Sequence, residues 1–289
     1  MKCCAPLLAA ALASTPGFSG GQTLVDGTNY PDLFGGTPNK VTVSTPIPDG
    51  AALGAFVGGS KSGNLGNYWT AQATGGAVTG SDLLPGVIPE VRLIDTGAEV
   101  ALTGSALQFR VNNDPDSILG AAGIGLGLAM TWSATVTFDE AGEELFLLPN
   151  SVYQVSFDVD GSNGLLKSTL GITPSFGLEM LDGTGTAIDC PAEDGSLVNI
   201  IGLELLGIIG SPPESGRAVV QFQTGNLTQA QQQGPASLRF TGSAFLPATA
   251  LNLGANFATI SNIGVSAVPE PSAMGLGLLG LALALRRRR

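Results

Sequence analysis

Histidine is absent from all 289 residues. Without an imidazole there is no Ser-His-Asp or Cys-His nucleophile system, no histidine-bearing zinc site and no histidine general base. What remains open to an enzyme is paired-carboxylate chemistry of the glycosidase kind and its lysine-assisted variants. Cysteine is almost as scarce: Cys3 and Cys4 stand at the N-terminus and Cys190 alone in the body. No internal disulfide is therefore expected, even in an oxidising compartment. Aromatic residues make up 6% of the chain, with two tryptophans and three tyrosines, so few side chains could stack on a sugar ring. Sustained helical periodicity is also missing.

In its place the chain repeats with a period of two. Thr135 to Phe138, Val152 to Val159, Ala218 to Thr224, Ser237 to Leu246 and Phe257 to Val268 alternate apolar with polar residues and are separated by turn formers. Such alternation predicts half-buried antiparallel strands. Further strands are expected at Val91 to Ile94, Val100 to Val111, Leu165 to Ile172, Phe176 to Leu181 and Ala187 to Cys190, with Asp182 to Gly185 as a hairpin turn. About ten short strands with Gly-rich turns predict an all-β fold, a two-sheet antiparallel sandwich. Leu147 to Asp160 and the last strand, Ile260 to Val268, are similar to the jelly rolls of carbohydrate-binding and galactose-binding-like modules.

Two stretches depart from simple alternation. Ile118 to Trp132 is apolar throughout, with Gly123, Gly125 and Gly127 alternating with larger residues, which suits a strand with one bare face better than a helix. Its G-x-G-x-G spacing is not a dinucleotide fingerprint. Leu197 to Ile209 reads equally as a buried strand pair or a short helix. Thr23 to Gly86, rich in Gly, Pro, Ser, Thr and Asn, is expected to mix edge strands with long loops.

The most specific pattern lies at the C-terminus. Val268, Pro269, Glu270, Pro271 and Ser272 lead into the uncharged run Ala273 to Leu285, which stops at Arg286, Arg287, Arg288 and Arg289. At about 1.5 Å per residue that run spans roughly 20 Å of a hydrocarbon core of about 30 Å, a short transmembrane helix that snorkelling arginines and local thinning can accommodate. The arginines favour the cytoplasmic side, which places the prolines in the periplasm. Pro269 and Pro271 hold Val268 and Glu270 extended, as a processing enzyme requires of its substrate. Motif, apolar helix and arginine cluster together resemble the PEP-CTERM sorting signal of exported proteins in Gram-negative bacteria. That resemblance implies recognition of Val268 to Ser272 by an exosortase, a stop-transfer role for Arg286 to Arg289, and delivery from the inner membrane to the cell surface or extracellular matrix.

The N-terminus agrees with export. Lys2, the apolar Ala5 to Ala13 and the small residues Ser19 to Gln22 form a signal-peptide pattern, with cleavage expected after Ser19 or Gly21 by signal peptidase following Sec export. The expected organisation is residues 1–21 signal peptide, 22–86 the Gly/Pro-rich section, 87–267 the sandwich body and 268–289 the sorting signal. Removing both signals takes five of 12 basic and one of 23 acidic residues, so the formal charge moves from −11 to −15. Nucleic acid is then not an expected partner; extracellular polysaccharide is compatible, directly or through divalent cations.

Binding constellations in the body are few. Tyr68 and Trp69 follow the polar Ser62 to Asn67 and are the candidates for stacking on a ligand, whereas Trp132 and Tyr153 sit in strand patterns and are expected in the core. Asp158, Asp160 and Asn163 form a weak calcium pattern, since Asn163 and Thr169 stand where an EF-type loop needs Gly and Glu. Asp139, Glu140, Glu143 and Glu144 read as a solvated turn. Asn226 to Thr228 is a glycosylation sequon, and Gln229 to Gln233 beside it reads as an exposed loop. The sequence thus predicts a non-enzymatic structural or adhesive surface protein needing no cofactor or metal. A carbohydrate-binding module and a carboxylate-based glycosidase are the alternatives.

Overall fold

The computed structural model describes residues 22–35, 38–66, 68–87, 89–113, 128–160, 175–188, 216–246 and 256–268. Its strands are β1 (Gln22–Val25), β2 (Asn39–Thr42), β3 (Gly54–Val57), β4 (Ser60–Asn64), β5 (Trp69–Thr74), β6 (Gly76–Ser81), β7 (Val91–Leu102), β8 (Leu107–Asn113), β9 (Leu128–Thr137), β10 (Val152–Asp160), β11 (Ser175–Leu181), β12 (Gly216–Gln223), β13 (Ser237–Leu246) and β14 (Asn256–Val268). One short helix, α1 (Gln229–Gln233), lies between β12 and β13.

Alternation in sequence becomes alternation in burial. In β10, Tyr153, Val155, Phe157 and Val159 are buried while the residues between them are half exposed. Pleating sends these two sets to opposite faces. The described strands form two antiparallel sheets. The larger has nine strands in the order β12-β10-β14-β8-β7-β6-β3, with β1 added to β14 and β2 to β7; the smaller has five, β11-β13-β9-β5-β4. From β8 onward each successive described strand lies in the opposite sheet from the one before.

Inward residues of both sheets meet in one core. Val100, Phe109, Val155, Phe157 and Ile260 come from the larger sheet, and Trp69, Trp132, Val136, Leu178 and Phe240 from the smaller. Phe157 meets Phe240 edge to face with ring centroids 5.3 Å apart, and Phe109 stacks on Trp132 at 6.4 Å. Full burial of a side chain of this size is worth about 1.5–3 kcal/mol, so this ring layer fixes how the sheets face each other.

The sheets are also joined covalently at a glycine corner. β3 and β6 pair in the larger sheet, β4 and β5 in the smaller, as one two-stranded ribbon that bends between them. The bend falls at Gly58 (φ 122°), Gly59 (φ 107°) and Gly75 (φ 101°), backbone conformations that a β-carbon would strain. β5 and β6 are therefore interior strands: the Thr23 to Gly86 section supplies more than the edge strands and loops expected of it.

Other expectations are corrected locally. Val100 to Val111 is two strands, not one, because Thr103 N–H donates to the Ala106 carbonyl at 3.0 Å and Gly104 adopts φ 82°. Gln229 to Gln233 is helical, not a loop: Thr228 caps it, accepting from Gln231 N–H, while the Gln231 side chain returns to the Thr228 backbone. The DGTG hairpin forms as expected, closed by the Leu181–Ala187 bridge. Leu165 to Ile172, Leu197 to Ile209, Cys190, the expected signal peptide and everything after Val268 lie outside the described residues. Among the described residues no helix is long and apolar enough to cross a membrane; the Ala273 to Leu285 run lies outside them.

Candidate functional sites

Trp69 is a core residue. It is 1% exposed, its indole N–H donates to the Leu33 carbonyl at 2.6 Å, and its ring stacks on Phe34 with centroids 5.8 Å apart. The strand explains this: in β5, Trp69, Ala71 and Ala73 share the buried face. Its proposed stacking role is thereby corrected, since no ring face is open to a sugar. Trp132 and Tyr153, 1% and 2% exposed, are core residues as expected.

Tyr68, half buried, turns the other way. Its hydroxyl donates to the Glu140 carboxylate, and its ring meets Tyr30 edge to face at 5.6 Å. Tyr30 in turn donates to the Glu143 carbonyl at 2.7 Å. The bond to Glu140, then burial, pushes the Tyr68 hydroxyl up to about 12; burial first, with nearby Asp139, Glu140 and Glu143 adding to it, pushes Tyr30 to about 12. The two phenols thus pin the acidic segment Asp139 to Glu144, which turns through a Glu143 N–H to Glu140 carbonyl bond of 2.9 Å.

Of the calcium pattern, Asp158 and Asp160 lie on β10 and Asn163 lies outside the described residues. Asp158 accepts from Asn262 Nδ2 at 2.6 Å and faces Arg217 Nη1 at 3.5 Å. Asn262 has φ 52° beside a bulge in the β10–β14 ladder, so Asp158 serves to hold that bulge. Among the described residues no cluster of three or more Asp, Glu, Cys or His has metal-binding geometry.

The buried carboxylates of the described residues are engaged by neighbours. Glu99, on β7, accepts from Thr42 Oγ1 at 2.8 Å and lies 3.1 Å from Lys40 Nζ and 3.5 Å from Arg110 Nη1. Asp95 pairs with Arg92. Asp182 closes a clasp that the sequence reading saw only as a turn. One of its oxygens accepts from Thr184 N–H, Thr184 Oγ1 and Thr186 N–H, the other from Gln231 Nε2 of α1 at 2.6 Å. Burial pushes this carboxyl up, but the bonds from Thr184, Thr186 and Gln231 outweigh it and hold the group below the ordinary range. The signal available in sequence was Asp182-Gly183-Thr184 together with the Thr228/Gln231 capping pair, but their contact is tertiary.

One groove of about 400 Å³ lies at the glycine corner, lined by Val57, Gly58, Gly59, Thr74, Gly75, Gly76 and Ala129. It carries no ionisable side chain, so it offers nothing to paired-carboxylate hydrolysis, and its one hydroxyl, on Thr74, already meets Ser60 Oγ at 3.1 Å.

The expected processing sites come together at the end of the larger sheet. Gln22, the first residue after the expected leader, pairs with Ala267. Val268, the last residue of β14, pairs with Val152 of β10. Pro269 follows directly, and the remainder of the sorting pattern, with Arg286 to Arg289, lies outside the described residues.

No family model matches the chain, and no curated protein matches it. Among solved structures, a cyclase from Fischerella sp. TAU in complex with 4-(1H-indol-3-yl)butan-2-one overlaps with a TM-score of 0.33 at 13% identity, covering 74% of this chain and 90% of that one. TmCBM27, a carbohydrate-binding module studied for mannan recognition, overlaps with a TM-score of 0.28 at 12% identity, covering 60% and 84%. Overlaps this loose carry no argument about function.

Proposed function

We propose that this chain is an exported protein of the cell surface or extracellular matrix of a Gram-negative bacterium. In this reading a jelly-roll-like sandwich is the structural or adhesive body, and residues 268–289 are an exosortase-type sorting signal. The ordered tail of Pro-Glu-Pro element, apolar run and four arginines carries the proposal.

The fold supports it through the register of β1 on β14. Termini that lie close together, common in domains, are compatible with a leader and a tail that both start at the inner membrane. Gln22 and Ala267 are direct antiparallel partners, so the two attachment points sit side by side at one pole. Cleavage beyond Val268 would also leave intact the described β14, which β10 holds through Val268. A glycan-binding role finds no such support: both tryptophans are buried.

Mass spectrometry of the protein recovered from the cell exterior tests the reading. Expected is a C-terminus close to Pro269–Pro271; an exterior protein still ending in Arg289 would refute it.

A further inference from the structure

The segment between β9 and β10 closes the sandwich at the pole where the chain leaves β14. Leu145 is held by the smaller sheet: its N–H donates to the Phe138 carbonyl at 3.1 Å and its carbonyl accepts from Ala236 N–H at 2.7 Å, just beyond the ends of β9 and β13. Leu148 is held by the larger sheet, its N–H donating to Tyr153 Oη at 2.7 Å and its carbonyl accepting from Thr224 Oγ1 at 2.7 Å. The chain therefore crosses from one sheet to the other beneath the core. Leu145 and Leu147, 4% and 0% exposed, point into that core, so Phe146 and Leu148, 44% and 62% exposed, face away from the body.

Val268 leaves the sheet beside them. Val152 pairs with Gln223 of β12 on one side and with Val268 on the other. With strands about 4.8 Å apart, Leu148 on Thr224 lies roughly 10 Å from the end of β14. Only Pro269 to Ser272 separate Val268 from the uncharged run Ala273 to Leu285. Fully extended, that linker reaches about 17 Å.

Resting on the tail-anchored reading of that run, we propose that Phe146 and Leu148 seat this pole on the lipid surface of the inner membrane and so hold the Pro-Glu-Pro element at headgroup level. Linker length selects lipid as the occupant. A gap of at most about 17 Å is too narrow for a folded partner, since a domain of about 100 residues has a radius of gyration near 13 Å. The acidic turn Asp139 to Glu144 precedes Phe146, with Glu143 and Glu144 exposed, so the contact suits uncharged headgroups and is opposed by anionic ones. Two half-exposed side chains give only a roughly ten- to hundredfold preference for lipid, whereas a short linker supplies an effective concentration of about millimolar or more. The contact therefore forms while the tail is attached and lapses once it is cut, which frees the body.

Quenching by nitroxide-bearing lipid tests this, with an apolar bimane label on Leu148→Cys in the full chain, Cys3, Cys4 and Cys190 replaced by serine, reconstituted in phosphatidylcholine vesicles. Val87→Cys is the reference: Val87 is 78% exposed between β6 and β7, at the opposite pole. Expected is quenching of the label on Leu148→Cys and none on Val87→Cys. Phe146→Ser should lower the contact equilibrium about tenfold, and anionic lipid in place of phosphatidylcholine should weaken the quenching. A label on Leu148→Cys that stays in water, in chains that float with the vesicles, overturns this inference and leaves the tail reading standing. Quenching that Phe146→Ser does not change, as nearness through the linker alone would give, also overturns it. A chain that does not float with the vesicles overturns both.

Discussion

Gly75 lies so close to Ala129 that a β-carbon on it would stand 2.3 Å from the Ala129 carbonyl oxygen. That contact lets the ribbon turn from one sheet into the other, and Gly75 meets it at φ 101°. Gly75→Ala should therefore cost about 2–4 kcal/mol, from left-handed strain plus a clash with fixed backbone. Gly142→Ala is the control: its φ is 88° but nothing lies within 4 Å, so only the conformational penalty of about 1–2 kcal/mol should appear. Chemical denaturation of the two variants separates these terms, and equal losses would show that the corner is not tightly packed.

Trp69→Ala should behave as a core truncation. It removes the stack on Phe34, the contact with Phe240 at 6.2 Å and the partner of the Leu33 carbonyl. A loss of about 3–5 kcal/mol is expected. Trp69→Phe should retain part of the packing and lose about half as much. Thermal melts decide, and a Trp69→Ala protein as stable as the parent would contradict the buried placement.

The sequence already held the information that places Trp69 inside. Trp69-Thr70-Ala71-Gln72-Ala73-Thr74 alternates, and only one of its two faces is apolar; reading Tyr68 and Trp69 as a pair, on the polar residues before them, obscured that strands send neighbours to opposite faces. The five strands read from clear alternation appear in the fold because one-sided burial fixes both period and register. The break at Thr103 to Ala106 was lost because a four-residue turn with a single glycine barely interrupts two strands of matching pattern. The Thr228/Gln231 capping box was legible in the sequence and predicts the helix start at α1. The glycine corner, the Asp182 clasp and the adjacency of Gln22 to Ala267 depend on contacts between segments far apart in the chain, which no local pattern encodes.

Alkaline pH should loosen the fold in a defined window. All three tyrosines of the chain are shifted upward, Tyr30 and Tyr68 to about 12, and Tyr153 by burial. A phenol that binds its proton more tightly folded than unfolded contributes stability in full below the unfolded value near 10, and loses it as pH rises towards 12. Ultraviolet titration of the native protein should therefore show little phenolate at pH 10, then cooperative ionisation together with unfolding. Ionisation of a full tyrosine near pH 10 in folded protein would contradict the Tyr30–Tyr68 arrangement.

At the acid end the clasp should loosen in a window set by Asp182. Asp182 is held below its ordinary value, so its contribution is present above about pH 4 and declines as pH falls through the lowered folded value. Asp182→Ala leaves the Thr184 and Thr186 N–H groups and the Gln231 amide without their acceptor, at a cost of about 2–3 kcal/mol at neutral pH. Stability curves of parent and variant should converge as pH drops below about 4. A constant gap down to pH 2 would show that the loss comes from packing alone.

Variants of the tail should separate recognition from stop-transfer. Carrying an arginine through the bilayer centre costs about 2.5–3.5 kcal/mol, so on the proposed reading Arg286 to Arg289 should halt translocation before any cut. Glu270→Ala alters the motif between two prolines and leaves the anchor intact, so an uncut, full-length precursor should accumulate in the inner membrane. Replacing all four arginines by serine leaves the motif intact and weakens the anchor, so the tail should misorient or uncut protein should leak outward. Both changes lie beyond the described β14, which pairs with β10 and β1, so both variants should give the parental melting temperature. Fractionation with intact-mass measurement distinguishes the two defects. The same distribution for both variants would mean that motif and arginines act as a single element.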